Sequence, residues 1–292
     1  MTGAIPLETR VPPSRIAPTA SSGGHVAMEG GVIRLGRGAA AFDVVENIDL
    51  DIAPEQFVCL LGPSGCGKST LLGAVAGHLT LHRGRVSLDG AAITGPHPDR
   101  GIVFQQHTLF PWCSVIDNVA FGLKMKGVPK RARLDRARDF IAEVGLAGFE
   151  DRYPAELSGG MQQRVEIARA LITRPRVLLM DEPFGALDAQ TRMTMQELLL
   201  KVWSQHRTTI VFVTHDIDEA IFLADRILVM TPRPGRILDD LTIDFARPRQ
   251  RELIADERFT KLRHHCLTLL HSDRNSLPLP RLTPIGVPTG IV

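Results

Sequence analysis

Residues 57–70 read FVCLLGPSGCGKST, and this stretch decides the fold. Phe57 to Leu61 is a short, wholly apolar run, as expected of a strand buried on both faces of a parallel sheet. Gly62, Pro63, Ser64, Gly65, Cys66, Gly67, Lys68 and Ser69 then fill every position of G-x-x-x-x-G-K-[ST], and Thr70, Leu71 and Leu72 open a helical pattern. The glycines let backbone N–H groups turn inward and approach phosphate oxygens with no Cβ in the way. The helix beginning near Lys68 aims its positive dipole end at the same anion. Lys68 is placed to reach the outer phosphates, and the Ser69 hydroxyl to ligand Mg²⁺. A Gly-rich turn matching by chance has no reason to follow a buried strand and open a helix. The stretch reads as a nucleoside triphosphate site.

Composition narrows the rest. The 292 residues suffice for one large domain or two modest ones, and a net charge of +2 gives no whole-chain argument for nucleic acid. Cys59, Cys66, Cys113 and Cys266 show no C-x-x-C spacing, which fits a reducing compartment better than a disulfide framework. Cys66, beside a helix N-terminus, is either a reactive thiol or a small residue tolerated at a variable loop position. No run of about 18 apolar residues is present to span a bilayer, and no apolar h-region marks a secretory signal.

Residues 1–29, rich in Pro, Ser, Thr and Gly, read as a flexible extension. Val32 to Leu35 and Val44 to Ile52 are expected as antiparallel strands, with Ile48, Leu50 and Ile52 on one face. Arg85 to Leu88 and Ala92 to Ile93 form a hairpin across Asp89-Gly90. Residues 99–106 give a strand ending at Gln105, followed by Leu109, Phe110, Pro111 and Trp112. From Val115 to about Leu146 the texture is helical, and its mixed charge run reads as a solvated helix face. Val177 to Met180, Thr209 to Val213 and Ile227 to Met230 are buried strands. Past Pro248, a helix over Arg251 to His271 places Ile254, Leu262, Cys266 and Leu269 on one face that packs on the domain.

The remaining chemistry falls at strand ends, where open parallel sheets place ligands. Asp181 follows Val177 to Met180 as the acid expected to hold Mg²⁺, and Glu182 beside it is the candidate for polarising the attacking water. A helix-cap role is the plainer alternative for either acid. His215 ends another strand, where contact with a γ-phosphate competes with a purely structural role. In Leu157 to Arg164, LSGGMQQR, Ser158 caps a helix while Gly159 and Gly160 leave its first N–H groups bare. Two phosphate cradles with one phosphate loop suggest that one cradle serves a nucleotide held by another copy.

GPSGCGKST, the Gln105 loop, LSGGMQQRVEIARAL, LLMDEPFGALD and VFVTHD, in this order, resemble the ATP-binding cassette family of transport ATPases over about residues 31–245. The resemblance implies an α/β P-loop NTPase: a RecA-like parallel sheet core, an antiparallel β edge region and an inserted α-helical subdomain at about 108–165. The domain itself would span 30–245, with 246–292 as a C-terminal extension. It implies Walker A over Gly62 to Thr70, Q-loop Gln105, and a signature motif over Leu157 to Gln163 that meets the partner's ATP. Asp181 and Glu182 become the Walker B acids, Asp188 the D-loop aspartate and His215 the switch histidine, with Ser69, Gln105 and Asp181 around Mg²⁺. An aromatic that stacks on adenine is expected near Ala39; the chain offers only Phe42, a few positions away. GPHPDRGIVFQ, LFPW, DNVAFGL and MTPRPGRI are similar to the nitrate/sulfonate/taurine importer branch.

The implied function is the ATPase subunit of an importer at the cytoplasmic face of the plasma membrane. It would pair as a homodimer or with a related subunit, drive a separate permease, and serve a solute-binding protein indirectly, with no nucleic acid partner. A soluble relative acting on DNA or ribosomes is the rival. DNA-acting relatives insert a long coiled coil after the Q-loop, whereas about 50 residues without sustained heptads separate Gln105 from Ser158 here. A non-catalytic dimerisation module would not need Glu182 and His215.

Overall fold

The computed structural model describes residues 23–272. Strand β3 (Phe57–Leu61) is the centre of the molecule and buries all five side chains. Its period of two sorts them onto opposite faces. Phe57, Cys59 and Leu61 join one hydrophobic core, Val58 and Leu60 the other. Strands β7 (Val177–Asp181) and β8 (Thr209–Thr214) divide the same way, Leu178, Met180, Ile210 and Phe212 facing the first core and Val177, Leu179, Val211 and Val213 the second. Phe57 also meets Trp203 edge-on at 5.8 Å between ring centroids. Deleting so buried a ring costs about 3–5 kcal/mol.

With β6 (Arg100–Val103), β9 (Arg226–Met230) and β10 (Ile237–Thr242), these strands form a six-stranded sheet in the order β10-β9-β3-β8-β7-β6. Every pairing is parallel except the edge pair β10–β9. A second, antiparallel sheet of β1 (Val26–Leu35), β2 (Phe42–Ile52), β4 (Arg83–Leu88) and β5 (Ala91–Ala92) runs in the order β2-β1-β4-β5. Helix α1 (Lys68–Ala76) touches both sheets and closes on Gly77 at φ 85°. That glycine is obligatory, because a Cβ there would lie 2.2 Å from the Gly95 carbonyl oxygen. Ile48, Leu50 and Ile52 line the core between the sheets, as the alternation requires.

The helical subdomain contains α2 (Val115–Met125), α3 (Lys130–Glu143) and α4 (Gly159–Leu171). Helix α3 buries only Ala137, Phe140 and Ile141 and leaves most of its charges in solvent. Helices α5 (Ala189–His206) and α6 (Ile217–Leu223) follow β7 and β8.

Two boundaries differ from the sequence reading. Residues 26–29 are not extension but the start of β1, with Val26 and Met28 in the core and Gly24 N–H bonded to Arg176 O at 2.9 Å. Residues 1–22 lie outside the described residues. The segment after 245 packs on the domain as expected, but its helix is divided. A 3-10 turn (Arg251–Ala255) and helix α7 (Glu257–Ser272) replace the single expected helix, and Phe259 and Cys266 are fully buried. Arg249 donates to the carbonyls of Ile221, Phe222 and Ala224, groups that the end of α6 would otherwise leave unsatisfied. Burial pulls its guanidinium down to about 10. Residues 273–292 lie outside the described residues.

Candidate active site

The parallel sheet sets the site out along one edge. In the order β3-β8-β7-β6, the carboxyl ends deliver the phosphate loop, His215, Asp181 with Glu182, and Gln105. Register keeps them level, Leu61 opposite Thr214, Val213 opposite Asp181 and Met180 opposite Val103.

The loop from Gly62 to Gly67 turns through Gly65 at φ 78° and Gly67 at φ 107°. A Cβ on Gly67 would meet Val45 Cγ2 at 2.6 Å, so conformation and space both demand glycine. Ser64 and Gly65 are exposed, Pro63 and Thr70 half-buried, and Cys66 buried. Cys66 is inaccessible, and burial pushes its thiol up, which favours the reading as a small residue tolerated in the loop. Lys68 is buried and curls into the loop, donating to Gly62 O at 2.8 Å and Pro63 O at 3.0 Å. Its Nζ also lies 4.0 Å from Glu182 Oε1.

Ser69 Oγ donates to Asp181 Oδ1 at 2.8 Å, so two of the three ligands expected for Mg²⁺ already touch. Burial raises the Asp181 carboxyl above its usual range, with the Ser69 bond opposing the rise and neighbouring Glu182 adding to it. Such a pair of hard oxygen donors fits a small divalent cation that arrives with phosphate oxygens of its own. Glu182 Oε2 lies 3.0 Å from His215 Nδ1, which places Glu182 between Lys68 and His215. Glu182 sits at φ 44°, an uncommon conformation for a residue with a side chain, and its N–H donates to Val213 O at 3.0 Å. Gln105 belongs to the same cluster. A Cβ on Gly185 would stand 3.7 Å from Gln105 Nε2 and 3.9 Å from Glu182 Oε2.

His215 is 62% exposed but held from behind. Thr214 Oγ1 donates to buried Glu219 at 2.6 Å, Gln196 Nε2 donates to the same carboxylate at 3.0 Å, and Asp216 caps α6. Asp188 is exposed and caps α5 by accepting the Thr191 N–H at 3.0 Å. Ser158 caps α4, its hydroxyl accepting the Met161 N–H at 3.3 Å. The two motifs abut, since a Cβ on Gly160 would lie 2.7 Å from Thr191 Cγ2. Packing against α5 therefore dictates that glycine, whatever it also does for an anion.

One expected contact is corrected. Gln163 is fully buried, and neither its Nε2 nor its Oε1 has a partner, so it offers nothing to a nucleotide on another subunit. Five residues past the cap, the helix has carried it to the inner face. Phe42 opens β2 and is 44% exposed. The Arg233 guanidinium lies 5.2 Å over its ring and donates to Gly65 O from Nη2 at 3.1 Å. Arg233, which the sequence reading passes over, thus ties Phe42 to the phosphate loop across 191 positions of chain (233 − 42). Its only sequence trace is the MTPRPGRI stretch.

A phosphate loop at the end of a buried parallel strand, with lysine, serine and two acids converging on it, defines a P-loop nucleoside triphosphatase. Comparison with known proteins narrows the class. Residues 45–185 match the family model described as ABC transporter. The chain is 52% identical over 229 residues to an uncharacterised ABC transporter ATP-binding protein of Methanocaldococcus jannaschii, covering 78% of this chain and 85% of that one. It is 51% identical over 244 residues to the taurine import ATP-binding protein TauB of Rhizobium johnstonii, covering 82% of this chain and 92% of the relative. Among solved structures, the ATP-binding cassette MJ0796, a dimer in a post-hydrolysis state bound to ADP and Pi, superposes with a TM-score of 0.67 at 31% identity. It covers 76% of this chain and 100% of that one. This chain belongs to the ATP-binding protein family of ABC transporters, and its chemistry is ATP hydrolysis coupled to transport.

Proposed function

We propose that the chain is the ATPase subunit of an importer for a small anionic or zwitterionic solute of the taurine, sulfonate or nitrate kind. Two copies, or this chain and a related subunit, enclose two ATP molecules and drive a separate permease from the cytoplasmic face of the membrane. A solute-binding protein on the far side supplies the cargo. The observation that carries the reading is Glu182, fixed at the end of β7 between Lys68 and His215.

Each residue then has a defined task. Gly62 to Thr70 wrap the phosphates, and Lys68 exchanges its bonds to Gly62 O and Pro63 O for phosphate oxygens. Ser69 and Asp181, with Gln105, hold Mg²⁺, whose contribution is to neutralise charge on the transferred phosphoryl group. Glu182 accepts a proton from the attacking water, and His215 holds that carboxylate in line through Nδ1. Ser158, Gly159 and Gly160 serve the partner's ATP, with Asp188 at the same interface. Phe42 presents its ring to the adenine.

The permease docks beside Trp112, which is 75% exposed. Phe110 lies 5.7 Å from the Trp112 ring and 4.6 Å from Phe121, giving an aromatic ledge on the helical subdomain. Among the described residues no helix is long and apolar enough to cross a membrane.

The test is co-purification from detergent-solubilised membranes, followed by uptake of taurine, an alkanesulfonate and nitrate in cells lacking the chain. Recovery of one integral-membrane permease, with loss of uptake for one of these solutes, is expected. Recovery of ribosomes or DNA-repair proteins with unchanged uptake would sink the importer reading.

A further inference from the structure

The loop between β6 and α2 carries Gln105 at one end and the aromatic ledge at the other, and it is held from two sides. From α2, the buried Asn118 amide accepts the Phe110 N–H at 2.8 Å and donates to the carbonyls of Phe110, Cys113 and Ser114. That side is local, within eight residues of chain.

The other side reaches across the subdomain from α4. Glu166 is 1% exposed, and its Oε1 accepts both the Thr108 backbone N–H and the Thr108 hydroxyl, the latter at 3.2 Å. Its Oε2 lies 3.4 Å from His107 Nδ1. One turn on, Arg169 donates to Thr108 O at 2.8 Å and to Thr108 Oγ1 at 2.6 Å. The Arg169 guanidinium also covers the Phe110 ring at 5.4 Å. The backbone N–H, the carbonyl and the hydroxyl of one threonine are thus all engaged by two side chains of one helix.

A carboxylate buried in mid-helix is costly unless its bonds are good, and packing alone would be served by an apolar side chain. The hydrogen bonds of Glu166 are spent on the loop. Ser158, the cap of helix α4, lies about 12 Å away along a rigid rod. We propose that Glu166 is a positioning residue: with Arg169 it clamps Thr108, so that the Gln105 loop and the signature motif move as one body. Sensing of the γ-phosphate by one subunit and presentation of Ser158 to Gly160 to the other then become a single displacement. The inference rests on the roles proposed above for Gln105 and Ser158, but the clamp itself can be tested without nucleotide.

Hydrogen exchange of the full chain provides the test. Without nucleotide, Glu166→Ala should speed exchange of the Thr108 amide and its neighbours 106–110 by about tenfold, the loss of one charge-assisted bond, while α1 and β3 stay protected. Glu166→Gln keeps an acceptor at the same place and should restore most of that protection. In a Glu182→Gln background with Mg²⁺-ATP, protection of 105–112 and of 158–164 should rise together. Adding Glu166→Ala should leave 105–112 open while 158–164 still gains protection. If Glu166→Ala does not fold, Thr108→Val removes only the shared hydroxyl and should open 106–110 by about threefold. Wild-type exchange at 106–110 in the variant that folds, or equal opening of α2 and β3, would overturn the clamp. Persistent joint protection of both segments without Glu166 would overturn the coupling. No ATP response at 158–164 in the parent would count against the composite-site reading and leave the nucleotide-free result to judge the clamp.

Discussion

The phosphate loop and the signature motif are both cradles at helix N-termini, yet the structure finishes only one of them. Around the phosphate loop the key side chains have partners in the same chain: Lys68 on two carbonyls, Ser69 on Asp181, Glu182 on His215. At Ser158 to Gly160 the side-chain hydrogen bonding is the helix cap, and a Cβ on the glycines would meet His107, Leu187 and Thr191 of α5. A strand end in a parallel sheet can complete a catalytic cluster by itself, because four strands deliver their residues side by side. A lone helix N-terminus on an inserted subdomain cannot. On the proposed function, the first half is chemistry and the second a docking edge.

That contrast can be broken most sharply at Glu182. Glu182→Gln keeps shape and hydrogen bonding but removes the basic carboxylate, so turnover should fall by about 10²–10⁴ while ATP still binds. The mutant should also accumulate as an ATP-bound dimer on size-exclusion chromatography. Near-normal phosphate release by the pure mutant would remove Glu182 from its role and leave the self-contained half without its base.

Mixed dimers sharpen the other half. One subunit carrying Lys68→Ala and one carrying Ser158→Arg place both lesions in one composite site and leave the other intact. Phosphate release by the mixture, absent from either homodimer, is expected. If neither the mixture nor the homodimers hydrolyse ATP, the signature motif has no shared site to serve.

A smaller effect is expected at the ledge. Trp112→Ala should weaken permease association by about 2 kcal/mol or more, as for a buried interface anchor. Pull-down from membranes beside a thermal melt distinguishes docking from packing. Unchanged permease binding with a large drop in melting temperature would make residues 109–112 a core element only.

Much of this division was readable in the sequence, and the failures have physical causes. Fixed spacing made Gly62 to Ser69 legible, and a wholly apolar run ending in two acids made Asp181 and Glu182 so. Period-two alternation gave Ile48, Leu50 and Ile52 their common face. The start of β1 was obscured by Glu29-Gly30-Gly31, which resembles a break. In the structure Gly30 sits at φ 56° and the pairing shifts register there without ending the strand. Gln163 is close to Ser158 in sequence but turned away from it in space, because a helix rotates about 100° per residue. Glu166 gave no signal at all. An acid in a helix reads as solvated until Thr108, 58 residues away, is seen to bond it. Arg233 on Phe42 is invisible for the same reason.

The smallest predicted effect concerns backbone conformation. Glu182→Gly and Glu182→Ala both delete the carboxylate, but only glycine relaxes φ 44°. Glycine should therefore be the more stable of the two by about 1 kcal/mol in chemical denaturation. Equal midpoints and slopes would show that the position carries no strain.

The left-handed backbone at Glu182 also bears on how such a protein changes over generations. Selection for folded yield alone favours replacing this glutamate by glycine or asparagine, residues that take the conformation at little cost. On the proposed role of Glu182, the demand for turnover holds the acid in place. A lineage that keeps nucleotide-driven dimerisation but no longer needs hydrolysis should shed it early, ahead of Lys68 or the glycines of the loop. In a descendant sequence, the residue at position 182 is then a dated record of when hydrolysis ceased to matter.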